Sequence, residues 1–185
     1  MALVSLLDVH RERAVIALGS NLGDREATVR SAGLDIAATS ALNVVAASGL
    51  FETPALTLGG VDESAPSYLN AVMIVETALA PIAMLERLNE IEDEHGRVRE
   101  ARWGDRTLDL DLIAYGELTL STSRLTLPHP RAHERDFVLV PWLQADPDAS
   151  LPGFGRVHDL LARMPAGGVT PIAAAPLLPG SVGEL

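Results

Sequence analysis

The chain has 185 residues, 48% of them hydrophobic, and no cysteine. That length sets one domain, with or without a tail, and the apolar share suffices for a proper core. The missing cysteines exclude disulfides, thiolate catalysis and zinc–thiolate sites, and they fit a reducing cytoplasm, the expected location.

The formal net charge is −11, which argues against a general nucleic-acid or anionic-membrane surface, because either needs a basic face. The basic residues are all arginine. A P-loop is thereby excluded, since its phosphate cradle needs a lysine. A local anionic site remains open, because the arginines are gathered rather than spread.

Residues 1–13 carry a short apolar run with no basic region before it and no convincing cleavage site. They read as a lead-in rather than a signal peptide, and no apolar run is long enough to span a bilayer. Residues 14–18, AVIAL, predict a central strand closed by Gly19. The following GSNLGD is a tight turn, with Asp24 as the N-cap of a helix over 25–40. Val29, Ala32, Gly33, Ile36 and Ala37 form the buried stripe of that helix. A second strand is expected over 43–51. Pro54 forces Thr53 out of helical geometry and opens an extended loop, 54–67, of a length that usually serves function or motion. Residues 68–77 predict a third strand, on which Asn70 shares a face with Tyr68. A helix begins at Pro81, buries Met84, Leu85, Leu88 and Ile91, and ends at Gly96. Glu90, Glu92, Asp93 and Glu94 crowd its end against the helix dipole.

Residues 96–113, GRVREARWGDRTLDLDLI, hold the densest chemistry. The first half is a charged loop between two glycines. The second half alternates, with Leu108, Leu110 and Leu112 on one face and Asp109, Asp111 and Ile113 on the other. Two carboxylates one pleat apart repel unless both face water, one is protonated, or a cation sits between them. Magnesium fits that notch better than calcium, and Arg97, Arg99, Arg102 and Arg106 suggest a polyanion such as a nucleoside triphosphate. A solvated edge strand beside a charged loop is the other reading of the same residues.

Further on, 124–127 predict a short extended piece. His129 stands between Pro128 and Pro130, either as a rigid loop residue or as a phosphate contact. A helix falls within 131–143, offering Phe137, Leu139 and Val140 for burial, and another spans 156–164. From Pro165 the chain is rich in glycine, proline and alanine, a tail that orders only by docking. The expected organisation is one domain over 1–165 with a tail over 166–185. The order strand, helix, strand, strand, helix, strand is the split βαβ pattern of a ferredoxin-like α+β fold, a mainly antiparallel sheet with helices on one face. Later segments would extend the sheet or cover it.

Four segments in this order resemble the 6-hydroxymethyl-7,8-dihydropterin pyrophosphokinase family: IALGSNLGDR, Thr53-Pro54 with Tyr68-Leu69-Asn70-Ala71, GRVREARWGDRTLDLDL, and RLTLPHP followed by Arg135-Asp136-Phe137. The resemblance runs from about residue 15 to 151. It implies transfer of pyrophosphate from ATP to a pterin alcohol in folate biosynthesis, with AMP released. It implies that Asp109 and Asp111 hold two Mg2+ ions on the ATP phosphates and that Arg97 and Arg106, on a mobile loop, neutralise charge during transfer. Glu92, Arg99, Trp103, Arg124, Thr126, His129 and Arg135 match positions on the ATP side. Thr53, Pro54, Leu56, Tyr68, Asn70 and Phe137 match the pterin pocket, with Tyr68 and Phe137 on either side of the flat ring. Asp105 stands where the family usually has proline or another small residue, and the loop between Arg99 and Trp103 looks one residue shorter than in some members. A monomer without nucleic-acid or membrane partners is expected. Two other classes remain compatible with the residues: a ferredoxin-like binding module without catalysis, and a metal-dependent glycosyltransferase using Asp-x-Asp on a nucleotide sugar.

Overall fold

The computed structural model describes residues 10–57, 60–62, 66–96, 107–165, 167–172 and 177–178. The first strand, β1 (Glu12–Ser20), is longer at both ends than the apolar run that announces it. A turn leads into α1 (Arg25–Ala38), where the Asp24 carboxylate accepts the Ala27 N–H at 3.0 Å. That bond caps one of the helix's otherwise orphaned donors. Val29, Ala32, Gly33 and Ile36 are buried as the spacing predicts, whereas Ala37 is exposed.

The strand expected over 43–51 is two strands, β2 (Leu42–Ala47) and β3 (Phe51–Thr53). The break falls at Ser48 and Gly49. The Ser48 hydroxyl accepts the Val72 N–H at 2.9 Å, so a side chain replaces one rung of the ladder. The stretch expected as a loop over 54–67 contains a small hairpin, β4 (Ala55–Thr57) with β5 (Gly60–Asp62). The long central strand β6 (Tyr68–Thr77) follows, then α2 (Pro81–Glu94), with proline in its first turn.

β7 (Asp109–Tyr115) carries the paired aspartates. A short hairpin, β8 (Leu120–Ser121) with β9 (Thr126–Leu127), comes next. The helix expected within 131–143 is a 3-10 turn, Ala132–Glu134, followed by α3 (Asp136–Ala145), which continues past Pro141. A two-rung hairpin, β10 (Ser150–Leu151) with β11 (Gly155–Arg156), leads into α4 (Val157–Leu161), shorter than expected. Beyond residue 165, β12 (Thr170–Pro171) pairs with β3, and Leu177 and Leu178 are buried.

The sheet order is β12-β3-β6-β1-β7, with β2 also paired to β6, and every pairing is antiparallel. This is the expected ferredoxin-like α+β core. Alternation splits the apolar residues between two faces. Ile16, Leu18, Ala71, Met73, Leu110 and Leu112 join Val29, Ile36, Met84, Leu88 and Ile91 of α1 and α2. Val15, Val72, Ile74 and Ile113 join Val138, Leu139 and Trp142 of α3 on the other face. Helices therefore cover both faces: the α1 and α2 layer was expected, and the later segments supply the second.

Ile16 is fully buried at the centre of the sheet, so Ile16→Ala should lower the unfolding free energy by about 2–5 kcal/mol. Asp24→Ala, which only uncaps α1, should cost about 1 kcal/mol. Urea unfolding of both variants checks the ranking.

Candidate active site

The floor of the main cleft is a row across the sheet. Phe51 lies opposite Asn70, Asn70 opposite Gly19, and Gly19 opposite Asp109, while Ala17 lies opposite Asp111. Small residues on β1 keep this floor low between Asn70 and the carboxylates. A Cβ at Gly19 would come within 3.3 Å of Asn70 Oδ1, tighter than a relaxed contact. Asn70 is buried, and its amide donates to Thr53 Oγ1 at 2.8 Å, tying the end of β3 to β6.

Over that floor opens a cleft of about 220 Å³, lined by Thr53, Pro54, Tyr68, Asn70, Asp109, Asp111, Arg135 and Phe137. Ala17, Leu18, Gly19, Arg131, Glu134 and Val138 line it too, and sequence reasoning missed them. For Ala17 and Gly19 a signal existed: small residues at period two, alternating with Ile16 and Leu18 along the strand. For Arg131 and Glu134 there was none, because their place depends on how the 3-10 turn folds back over the sheet.

A second cleft of about 270 Å³ adjoins it, lined by Leu85, Asp111, Leu112, Thr122, Ser123, Arg124, Leu125, Thr126, His129 and Pro130. Arg124, Thr126 and His129 thus come together, and Asp111 borders both clefts. Arg135, expected on the ATP side, lines the first cleft and borders the second through its partner Asp111. Glu92 lines neither cleft among the described residues. It is fully buried on α2, and its Oε1 accepts the Leu110 N–H at 2.8 Å, fixing the helix to the residue between the two aspartates. Leu56 lies on β4 with its side chain outside the description. Arg97, Arg99, Trp103, Asp105 and Arg106, with the loop expected to close over the site, lie outside the described residues.

Charge converges on Asp111. Arg135 Nη1 donates to its Oδ2 at 3.1 Å, and the same guanidinium sits 5.5 Å from the Phe137 ring centroid, within cation–π range. His129 Nε2 lies 3.9 Å from that carboxylate oxygen. The His129 N–H donates to Ile113 O at 2.8 Å, and its Nδ1 accepts the Arg131 N–H at 3.3 Å. An accepting Nδ1 leaves the proton of the neutral ring on Nε2. Burial pushes the His129 pKa below its ordinary 6.5, against the pull of Asp111 and with a further push from Arg135.

One cleft wall is held from outside. Arg25 Nη1 donates to Glu52 Oε1 at 3.0 Å, to Ser67 O at 2.6 Å and to Ser67 Oγ at 2.7 Å, and the Ser67 hydroxyl donates to Glu52 at 2.6 Å. This knot joins the start of α1 to the residues just before Thr53 and Tyr68. The bonds from Ser67 and Arg25 hold the Glu52 carboxyl below its ordinary value.

The model of the 7,8-dihydro-6-hydroxymethylpterin-pyrophosphokinase (HPPK) family matches residues 15–147. The chain belongs to the HPPK family. The HPPK family is one of pyrophosphokinases of folate biosynthesis, and this chain is an enzyme of that type. The 2-amino-4-hydroxy-6-hydroxymethyldihydropteridine pyrophosphokinase of Haemophilus influenzae is 40% identical over 148 residues, 80% of this chain and 90% of that protein. The Mycobacterium leprae protein of the same name is 46% identical over 168 residues, 82% of this chain and 83% of its own. The fold also matches the crystal structure of wild-type Plasmodium falciparum HPPK-DHPS, with a TM-score of 0.63 at 14% identity. That match covers 83% of this chain and 45% of the longer Plasmodium chain. No described helix of this HPPK-family chain is long and apolar enough to cross a membrane.

Because the folded Glu52 value lies below 4.5, its pairing adds stability above that pH and loses it as the pH falls through the folded value. Glu52→Gln should therefore be less stable than the parent at pH 7, and the gap should close toward pH 3. Urea midpoints of the two proteins across that range check the sign.

Proposed function

We propose that this chain transfers pyrophosphate from ATP to the hydroxymethyl group of 6-hydroxymethyl-7,8-dihydropterin in a Mg2+-dependent reaction that releases AMP. The observation that carries the reading is the pair of adjoining clefts that share Asp111. One has an aromatic and amide lining suited to a flat heterocycle, Tyr68, Phe137 and Asn70. The other has a cationic and hydroxyl lining suited to a nucleotide, Arg124, Thr126 and His129. A group passed from one cleft to the other must cross the carboxylates.

Asp109 and Asp111 fit a hard cation. They are oxygen donors on one strand face, half-buried, and open to the cleft. Two carboxylates are the usual protein share of a magnesium site, with phosphate oxygens and water as the remaining ligands. Bound there, magnesium would neutralise phosphate charge and hold the phosphates for in-line displacement.

The chain's own residues do the rest in this reading. Tyr68 and Phe137 hold the pterin ring from either side, and Thr53, Pro54, Leu56 and Asn70 set its edge. The alcohol oxygen bonds to the β-phosphorus while the bond from that phosphorus to the α–β bridging oxygen breaks. Such a transfer depends on positioning and charge neutralisation rather than on a protein nucleophile. Asp111 is the acceptor for the alcohol proton. Arg124, Thr126, His129 and Arg135 hold the nucleotide, together with Arg99 and Trp103, while Glu92, fully buried on α2, acts at one remove by fixing the Leu110 backbone between the two aspartates. Arg97 and Arg106 offset the charge on the transferred group. Both clefts are lined from one chain, so the reading needs no second copy, and the cytoplasm supplies both substrates.

ATP with the reduced pterin alcohol and Mg2+ should yield AMP, and chelation of the metal should abolish the yield. AMP release that ignores the pterin, or no AMP at all, would overturn the reading, the second outcome favouring a binding module. Asp109→Ala and Asp111→Ala should each reduce turnover by more than about 100-fold, the range expected when a preorganised electrostatic contact is lost. Their circular dichroism should stay that of the parent, because removing one of two repelling carboxylates leaves the core intact. Phe137→Ala should raise the KM for the pterin while leaving the KM for ATP near the parent value, as steady-state kinetics on each substrate would reveal.

A further inference from the structure

Part of the chain after the family match returns to the walls of the first cleft. β12 lies beyond residue 147 and pairs with β3, Thr170 opposite Glu52 and Pro171 opposite Phe51, and the Ile172 N–H donates to Leu50 O at 3.0 Å. Without β12, β3 is a three-residue strand bonded on one side only, to β6. β3 ends at Thr53 and hands the chain to Pro54, so its position sets one wall of the cleft.

Just before β12 the chain crosses between the two walls. A Cβ at Gly168 would lie 2.9 Å from Pro54 Cδ and 3.0 Å from Pro54 Cγ, and a Cβ at Gly167 would collide with the Asp136 carboxylate. Asp136 opens α3, and its Oδ1 accepts the N–H of Phe137 at 2.8 Å. The proline ring is tied to its own backbone and cannot swing aside as a long side chain would. Two consecutive residues without side chains thus let the strand pass in contact with Pro54 on one side and with the residue that orients Phe137 on the other. Farther along, Leu177 packs against Gly33 of α1, where a Cβ would meet it at 3.4 Å. The segment is held at both ends.

We propose that residues 167–172 are a positioning strap for the first cleft, with Gly167 and Gly168 setting the distance between the Pro54 wall and the Phe137 wall. As a statement about pterin affinity, this rests on the function proposed above. As a statement about the cleft walls, it does not. The described contacts of the strap are with Pro54, Asp136 and residues 50–52, none of which lines the second cleft, so bulk added at Gly168 pushes on the heterocycle side rather than on the nucleotide side.

The test uses the full chain with Gly168→Val, and with the milder Gly168→Ala should valine prevent folding. The dissociation constants for the reduced pterin alcohol and for a non-hydrolysable ATP analogue are measured by fluorescence titration. Hydrogen exchange is followed at residues 51–53 and 136–139. The expected result is pterin binding weakened about tenfold with the nucleotide constant within twofold of the parent, and faster exchange at both walls but not in α2 or β2. Unchanged pterin affinity together with unchanged exchange overturns the strap, as does equal weakening of both ligands, which marks a general loss of stability. Should the parent chain itself bind no reduced pterin, the function proposed above fails. The exchange at the two walls then still decides whether the strap sets their positions.

Discussion

Two like charges held one pleat apart on an otherwise buried strand are the constraint on which this protein depends. Successive same-face positions on a strand lie roughly 6–7 Å apart, where unit charges at an effective dielectric of about 20 repel by roughly 2–3 kcal/mol. A strand with Leu110 and Leu112 sunk in one core and Ile113 in the other cannot rotate to move Asp109 and Asp111 apart. Among the described residues the sheet is open at this end, both carboxylates are half-buried, and Arg135 is brought against Asp111. Everything arranged around the site takes its place from that opening.

The opening itself comes from unequal coverage of the two faces. α1 and α2 cover one face with large aliphatic residues down to Leu18 and Leu110. On the other face α3 begins only at Asp136, after a 3-10 turn. The gap ahead of it is floored by Ala17 and Gly19, which have too little side chain to fill it. A cleft therefore persists between a rigid sheet and the start of a helix. Sites built on regular elements hold their geometry better than sites on loops, and the carboxylates, Asn70 and Tyr68 all stand on long antiparallel strands. Glu92 extends the same logic behind the sheet: a buried carboxylate accepting the Leu110 N–H anchors α2 to the one residue that separates the aspartates.

Other parts of the cleft are held less directly. Thr53 and Pro54 follow a three-residue strand, which draws support from the Asn70 amide, from the Arg25–Glu52–Ser67 knot and from the pairing with β12. His129 depends on its N–H bond to Ile113 rather than on a strand or helix of its own. Burial is the main reason its pKa lies below the ordinary value, and the nearby Asp111 offsets only part of that.

Sequence by itself determined what depends on local period and on residue type. The alternation through 108–113 put both aspartates on one face before any partner strand was known, since side chains on a strand must alternate. The order of strands and helices gave the ferredoxin-like core, and the aromatic and amide residues of the first cleft stood in recognisable segments. Tertiary structure decided what depends on contacts distant in the chain. Ser48 breaks a strand because its hydroxyl finds the Val72 N–H. Residues 55–62 hold a hairpin because two short segments pair with each other. Asp111 borders two clefts because β7 lies between β1 and the approach to His129, and Arg131 and Glu134 join the first cleft because the turn before α3 folds over the sheet. The residues after 165 read as tail by composition, yet part of that segment pairs with β3, because a bare strand edge offers backbone bonds to any segment that reaches it and needs no sequence pattern to do so.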